Sequence, residues 1–516
     1  MFIKRKNKEY MKYKTNKNRN KILISIIILF IVVLAIRLTI SFQTQSLNKE
    51  SYYHLDQAEK ILETGKAELH NSLYDNSALP ITTYLLAFFG MFLNLEVAAK
   101  ILINLFIALS VVVIYFIALE ISKDSKISFF VALFSGFIPL LFKEYINNFG
   151  SNGISIFVFL ITLLFFIKSM HETKFIRHFI IALIVLIIMT PLSAVFIASF
   201  LIYFILLNAE KMRIRSSELE IFLFSLILGG WIYIILYKNI ILEKGLRFLS
   251  SPILQNSIPL NNSLILGLIG IVPVLLGIVG IYFNTIKKPN RQILFITSFI
   301  IVNLIFILIG FVNVEYVLVM ISLGLVICSA TALKEITEFF NKSKVKRVYN
   351  ILLVITFILF FLSSIVPSLT NALVSTHEVP SLEDKEALIT LKENSRPNSI
   401  VMSYFEDSYL VEYFSNRKTV ISFNGIDNNK RLEDIQHFFN INLNTEALRT
   451  LTLYGADYIF ISNKKIKEMT KKSLEKFGDN CYGKLYMNKS RLYKVLCTLK
   501  QEEELNEELF EDKNGQ

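Results

Sequence analysis

The sequence predicts a polytopic α-helical membrane protein with about eleven transmembrane helices and a C-terminal extracytoplasmic α/β domain. Three observations predict it. Apolar runs of spanning length recur from residue 21 to 367, basic residues gather at the N-terminus and in short loops between those runs, and apolar runs shrink to strand length after Pro367. A bilayer core ~30 Å thick takes ~20 apolar residues per helix, because without water every backbone amide must bond inside its own segment. Apolar residues make up 53% of the 516, mean hydropathy is positive, and the excess sits in long runs rather than amphipathic stripes. One water-soluble domain is thereby excluded. The net charge of +12 invites a nucleic-acid reading, but its placement is that of charges which orient a membrane protein.

Nine Lys or Arg residues precede the first apolar run, about 22 to 41, and by the positive-inside rule they stay in the cytoplasm. That run is too long for an ordinary signal peptide and no small-x-small cleavage site follows, so it reads as an uncleaved anchor. The external loop 42–100 contains an apolar run at 79–95 that either spans or lies along the outer interface. Charge decides. If the run spans, Lys123 and Lys126, then Lys168, Lys174 and Arg177, and every later basic loop fall outside; if it does not, all fall inside. The other spans are therefore expected at 101–121, 127–142, 152–169, 178–190, 192–208, 219–237, 263–283, 293–311, 316–333 and 348–367. Thr190-Pro191 separates the two short helices at 178–190 and 192–208. An odd count of spans puts the C-terminus outside. Arg37 is expected to snorkel outward from its helix, and Cys328 to be inert packing.

The expected organisation is a basic cytoplasmic N-terminus (1–21), a transmembrane domain (22–372) whose external loop carries juxtamembrane helices, an extracytoplasmic α/β domain (373–498) and an acidic tail (499–516). Strands are expected at 399–403, 419–422 and 457–462, and amphipathic helices at 382–394 and 431–439. Cys481 and Cys497 each lie eight residues from Lys489, the centre of a predicted hairpin, so in register they face each other. An extracytoplasmic location permits a disulfide between them, and two unlinked half-buried thiols remain the alternative.

Before the tail, the only dense polar cluster is in the first loop: Glu50, Tyr52, Tyr53, His54, Asp56, Glu59, Glu63, His70 and Asp75. Carboxylates and an imidazole at a bundle mouth suit a divalent cation or a general base, and an ordinary solvated loop accounts for the same residues. No zinc-type ligand spacing, Walker loop, GxSxG elbow or dinucleotide fingerprint is present.

The stretch Glu50-Ser-Tyr-Tyr-His-Leu, then 58–65, then Pro80 before an apolar run, resembles the first external loop of the GT-C membrane glycosyltransferases, near the catalytic subunits of archaeal and bacterial oligosaccharyltransferase. In that family the loop reads Asp-Pro-Tyr-Tyr-His and its Asp binds the catalytic metal; Glu50 stands in that place. The resemblance implies that 79–95 is juxtamembrane. A second acidic motif should open the helix near Ile154, where this sequence has Ser151 and Gly153, with Glu144 the nearest carboxylate. A third motif, Thr-Ile-x-Glu, is similar to 240–243, ending in Glu243. The family's Trp-Trp-Asp-Tyr-Gly and Asn-Arg-Thr segments, which bind the acceptor sequon, look like Tyr404-Phe405-Glu406-Asp407-Ser408 and Asn416-Arg417-Lys418-Thr419.

What the resemblance implies is a transferase moving a sugar or oligosaccharide from a polyprenyl-phosphate-linked donor to a glycan or protein acceptor on the outer face of the membrane. Its implied site comprises Glu50 as the catalytic acid, Glu50, Glu243 and His54 as ligands of a divalent cation (Mg or Mn), and Tyr52, Tyr53, Asp56, Glu144, Tyr404, Phe405, Glu406 and Arg417 as substrate-binding residues. Some relatives work without metal through one acidic base, a role open to Glu50. A non-catalytic GT-C-like subunit in envelope glycan or glycoprotein assembly is the first alternative, and a transporter or flippase the second. Carriers commonly show internal repeats and charges facing a pathway, and neither is visible here.

Overall fold

Backbone that cannot reach water must bond to itself, and in the computed structural model each of the eleven apolar runs is helical over its described part. The structure describes residues 23–66, 80–244, 267–287, 289–310, 312, 314–342, 346–421 and 428–497. Among these, seven helices are long and apolar enough to cross a membrane, or eight if the bent pair Ser125–Gly136 and Pro139–Tyr145 is one span. The protein is thus a multi-pass membrane protein. The bend of 44° falls where Pro139 starts a new helix, its missing N–H costing nothing in a first turn.

Several elements differ from expectation. The run 79–95 is not one segment: Ile81–Gly90 is a short helix, and Leu95 already begins the next long one, Leu95–Ser122, capped by Asn94. Glu96 in its first turn favours that earlier start. Ile176–Met189 and Ser193–Ala209, 14 and 17 residues long, are the two short helices expected, whereas Ile271–Tyr282 has 12 α-helical residues and continues as a π-helical turn, Phe283–Lys287. Val314–Lys342 continues well past its apolar stretch.

The described residues divide into two units. Residues 23–45 and 80–377 make a helical unit, whereas 46–66 belong with 378–497. In the helical unit, Val314–Lys342 is the central helix, packed against Ile271–Tyr282, Arg291–Ile309 and Ser125–Gly136. Gly280 permits the closest of these approaches, since a Cβ there would sit 2.1 Å from the Cys328 carbonyl oxygen. Cys328 itself is buried packing.

The second unit is a five-stranded sheet with helices around it. Strands β1 (Ile400–Ser403), β2 (Lys418–Thr419), β3 (Tyr458–Ile461), β4 (Tyr482–Met487) and β5 (Arg491–Val495) are ordered β2-β1-β3-β5-β4. The first three are parallel, and β5 and β4 add antiparallel, with Met402 opposite Ile459 and Phe460 opposite Leu492. All four residues of β3 are buried, as a central strand covered on both faces requires. Helix Leu382–Asn394 starts on a capping box, Ser381 with Asp384. The other Asp384 oxygen accepts from Asn463 N at 2.9 Å and Ser490 Oγ at 2.6 Å, tying the helix start to the hairpin. Cys481 and Cys497 are joined by a disulfide, Cα atoms 4.9 Å apart. A bulge between Lys484 and Tyr486 slips the register by one, so Leu496 N, not Cys497, bonds to Cys481 O, and the disulfide lies diagonally.

Candidate active site

In the helical unit, polar side chains converge where helix Leu23–Ser41 ends. Arg37 does not snorkel: it is fully buried. Its Nε donates to Asn104 Oδ1 at 2.9 Å and its Nη2 to Tyr145 O at 2.9 Å, with Leu141 O at 3.3 Å from Nη1 and the Phe142 ring beneath it at 4.8 Å. The reason is the short helix Pro139–Tyr145, whose last carbonyls have no partner within the helix. A guanidinium presents five donors in a fixed fork, and those carbonyls give it a better environment than the hydrocarbon it would cross to snorkel.

The same carbonyl-clamping recurs with Lys100, 2% exposed, whose Nζ donates to Ser41 O at 3.0 Å and to Thr44 O. Asn104 Nδ2 reaches Ile146 O at 3.0 Å, and Ser41 Oγ donates to Asn147 Oδ1 at 2.6 Å. Segments 41–44 and 141–147 are thereby stitched together. Glu144 comes next to this clamp, ion-paired with Lys143 at 3.1 Å and joined by a side-chain hydrogen bond to Glu315. Glu315 lies in the first turn of Val314–Lys342, followed by Tyr316, whose hydroxyl is 3.4 Å from Ser155 Oγ. Ser151, where the second acidic motif was expected, bonds Thr82 at 2.9 Å. Gly153 leaves no room for an acid: a Cβ would lie 2.3 Å from Ile103 Cδ1 and 2.9 Å from Tyr145 Cδ1.

In the second unit, helix Ser51–Thr64 carries most of the first-loop candidates. Glu50 occupies its N-cap position, half-buried. Tyr52 is fully buried against Tyr413 and Phe414, ring centroids 5.2 and 5.1 Å away, and its role there is anchoring. Tyr53 meets Tyr409 edge-on at 6.1 Å, His54 is buried, and Asp56 pairs with Lys60 at 3.0 Å. Facing this helix is Glu412, which accepts from Thr419 Oγ1 at 2.9 Å. Burial, with Asp56 adding to it, pushes its carboxyl up to about 7, against the Thr419 hydrogen bond and the pull of Lys60. Lys49 is ion-paired with fully buried Asp407, whose other oxygen accepts from Ser462 Oγ at 2.7 Å.

The aromatic-acidic segment lies in the same unit. Tyr404 stacks on Phe439 at 3.9 Å with Lys465 over its ring at 5.0 Å, Phe405 is buried, and Glu406 pairs with Lys465 at 3.2 Å. Burial works against the Glu406 charge, yet Lys465 and Lys49 hold its carboxyl below the usual range. Arg417 donates to Ser395 Oγ at 2.7 Å and to the carbonyls of Lys392 and Ser395 at 2.9 and 2.8 Å, closing the C-terminal end of helix Leu382–Asn394.

Glu50, His54 and Asp56 thus share one short helix with Tyr52 and Tyr53, and Glu144 belongs to the other unit. Glu243 is on the last turn of Ser216–Lys244, with its side chain outside the described residues, as are His70 and Asp75. Sequence reasoning missed Glu315, Glu412 and the Lys49–Asp407 pair. A signal existed for Glu315, an acid opening an apolar helix; nothing local distinguished Glu412. Among the described residues no three His, Cys, Asp or Glu side chains converge on a common point. Mg or Mn is commonly held by one or two carboxylates completed by waters and substrate phosphate, but beside Glu144 and Glu315 the Lys143 ammonium already supplies a positive charge, so this pair does not fit a resident cation.

No family model and no curated protein sequence matches the chain. Solved structures do. The Archaeoglobus fulgidus oligosaccharyltransferase in complex with Zn and sulfate has a TM-score of 0.55 at 14% identity, over 84% of this chain and 67% of that one. ArnT from Cupriavidus metallidurans bound to undecaprenyl phosphate has a TM-score of 0.56 at 11% identity, over 92% of this chain and 99% of that one. The fold is GT-C-like. A third structure, the A. fulgidus oligosaccharyltransferase AglB in complex with an inhibitory peptide and a dolichol-phosphate, has a TM-score of 0.57 at 13% identity, over 88% and 72% of the two chains. At these identities the GT-C-like likeness is one of architecture, and the chemistry must be argued from the residues above.

Proposed function

We propose that this GT-C-like chain is a membrane glycosyltransferase that moves a sugar or oligosaccharide from a polyprenyl-phosphate-linked donor to a glycan or protein acceptor. The observation that carries it is the Arg37–Asn104 clamp, which sets the Glu144 carboxyl against Glu315 and beside Lys143. Displacing a lipid phosphate leaves negative charge on the departing oxygen, and the acceptor must lose a proton. Lys143 supplies the positive charge, and Glu144 with Glu315 the proton acceptor. In the second unit, the resemblance of the first loop singles out Glu50, at the head of Ser51–Thr64, as a separate candidate acid. No step is routed through a metal. The donor class is supported by the dolichol-phosphate and undecaprenyl phosphate bound in the two neighbours. The placement of the reaction on the outer face rests on the basic loops, and the Cys481–Cys497 disulfide favours the same side for the second unit.

The test is transfer from a radiolabelled polyprenyl-phosphate-linked sugar by membranes containing wild type, Glu144→Gln or Glu50→Gln. Each variant should lose roughly a hundredfold or more in rate while keeping the wild-type melting temperature in detergent. The non-catalytic alternative is favoured by one observation, the engagement of Arg417 in closing a helix rather than facing a ligand. Wild-type transfer by both variants would favour it, and solute uptake by proteoliposomes of the purified protein would support the carrier.

A further inference from the structure

The basic end of the helical unit holds a cavity of about 440 Å³ that the proposed chemistry does not use. Thr331 and Lys334 on its wall share the helix Val314–Lys342 with Glu315, and the 19 residues from Glu315 to Lys334 put them roughly 30 Å apart along the axis. His171, Arg215, Arg291 and Lys334 line it, against Glu335 as the one acid among the lining residues.

The cations are arranged differently from those around Glu144. Arg291 is held by Glu218 through contacts of 2.7 and 2.9 Å, and Asn290 caps the helix that Arg291 begins. Arg215 spends one donor on Met170 O at 2.9 Å, and the buried Gln292 amide is 2.8 Å from His171 Nε2. Lys334 makes no ion pair among the described residues. The other part of the wall is apolar, with Met170, Met212 and Phe283. Fixed guanidinium groups, an uncommitted ammonium and an apolar flank together suit an anion carried on a greasy body, and basic pockets between helices on the inner side of a membrane are of this kind.

The geometry points to a binding site for a phosphate-bearing anion in this cavity, separate from the Glu144 cluster. The shared chemistry is the phosphate, from an anionic phospholipid headgroup or from a soluble phosphate. Native mass spectrometry of the full-length protein in detergent, titrated with phosphatidylglycerol or phosphatidylcholine, separates these sources when combined with melting temperatures in millimolar inorganic phosphate. Lys334→Gln and Arg215→Gln should each weaken phosphatidylglycerol binding roughly fivefold and leave phosphatidylcholine unchanged, which assigns the headgroup. Equal binding of the two lipids, together with a phosphate-induced rise in melting temperature that Lys334→Gln abolishes, assigns soluble phosphate. Variants that keep their own melting temperature and match wild type in both measurements overturn the site. Among the described residues Lys334 makes no ion pair, so Lys334→Gln breaks none.

Discussion

Glu412 offers the sharpest test of how the second unit is built, because its environment combines helix Ser51–Thr64 with the strand that carries Thr419. Its carboxyl, ordinarily near 4.5, titrates at about 7 in the folded protein, mainly from burial. Between those values the folded state keeps a proton that the unfolded chain has lost, so stability falls as pH rises through the window. At about 1.4 kcal/mol per pH unit the ceiling is about 3 kcal/mol, and partial solvent access trims it to roughly 1–2 kcal/mol. Glu412→Gln keeps the oxygen that Thr419 bonds and removes the charge. Hydrogen exchange of peptides covering 405–421, in full-length wild type and variant at matched pH, isolates the term because intrinsic exchange cancels. Protection should be equal near pH 4 and roughly tenfold greater in the variant at about pH 8.5. A difference that stays flat across that range, or opens at the acid end, would refute the reasoning.

Two further outcomes are expected. Replacing Cys481 and Cys497 with Ser opens a bridge of sequence separation 16 and should cost the second unit about 3 kcal/mol, read as earlier loss of protection in β4 and β5; non-reducing peptide mapping checks the bridge directly. Gly153→Val should lower the melting temperature of the detergent-solubilised protein, by roughly 1–3 kcal/mol in stability, because Tyr145 blocks the added atoms; a variant as stable as wild type would show that the two helices are less closely packed.

What could be read directly from the chain was whatever depends on local composition. Hydrocarbon forbids unpaired amides, so apolar runs declared helices, and the charge between them set an expected orientation. Alternation and turn residues likewise marked β1, β3 and the hairpin, and its symmetric spacing pointed to the paired cysteines. Burial and partnership belong to another level. Arg37 looked like a charge that must escape the membrane, and only packing could supply the carbonyls of Leu141 and Tyr145, from a helix more than a hundred residues away. Glu144 was visible as an isolated acid, but its neighbour Glu315 lies 171 positions later, and Glu412 faces Asp56 across a still longer separation. Tyr52 had the residue type of a ligand contact and became an aromatic anchor because Tyr413 and Phe414 close over it. Electrostatic environment depends on distance in space, which a linear pattern does not carry, so the chemistry of these groups was decided when the chain folded.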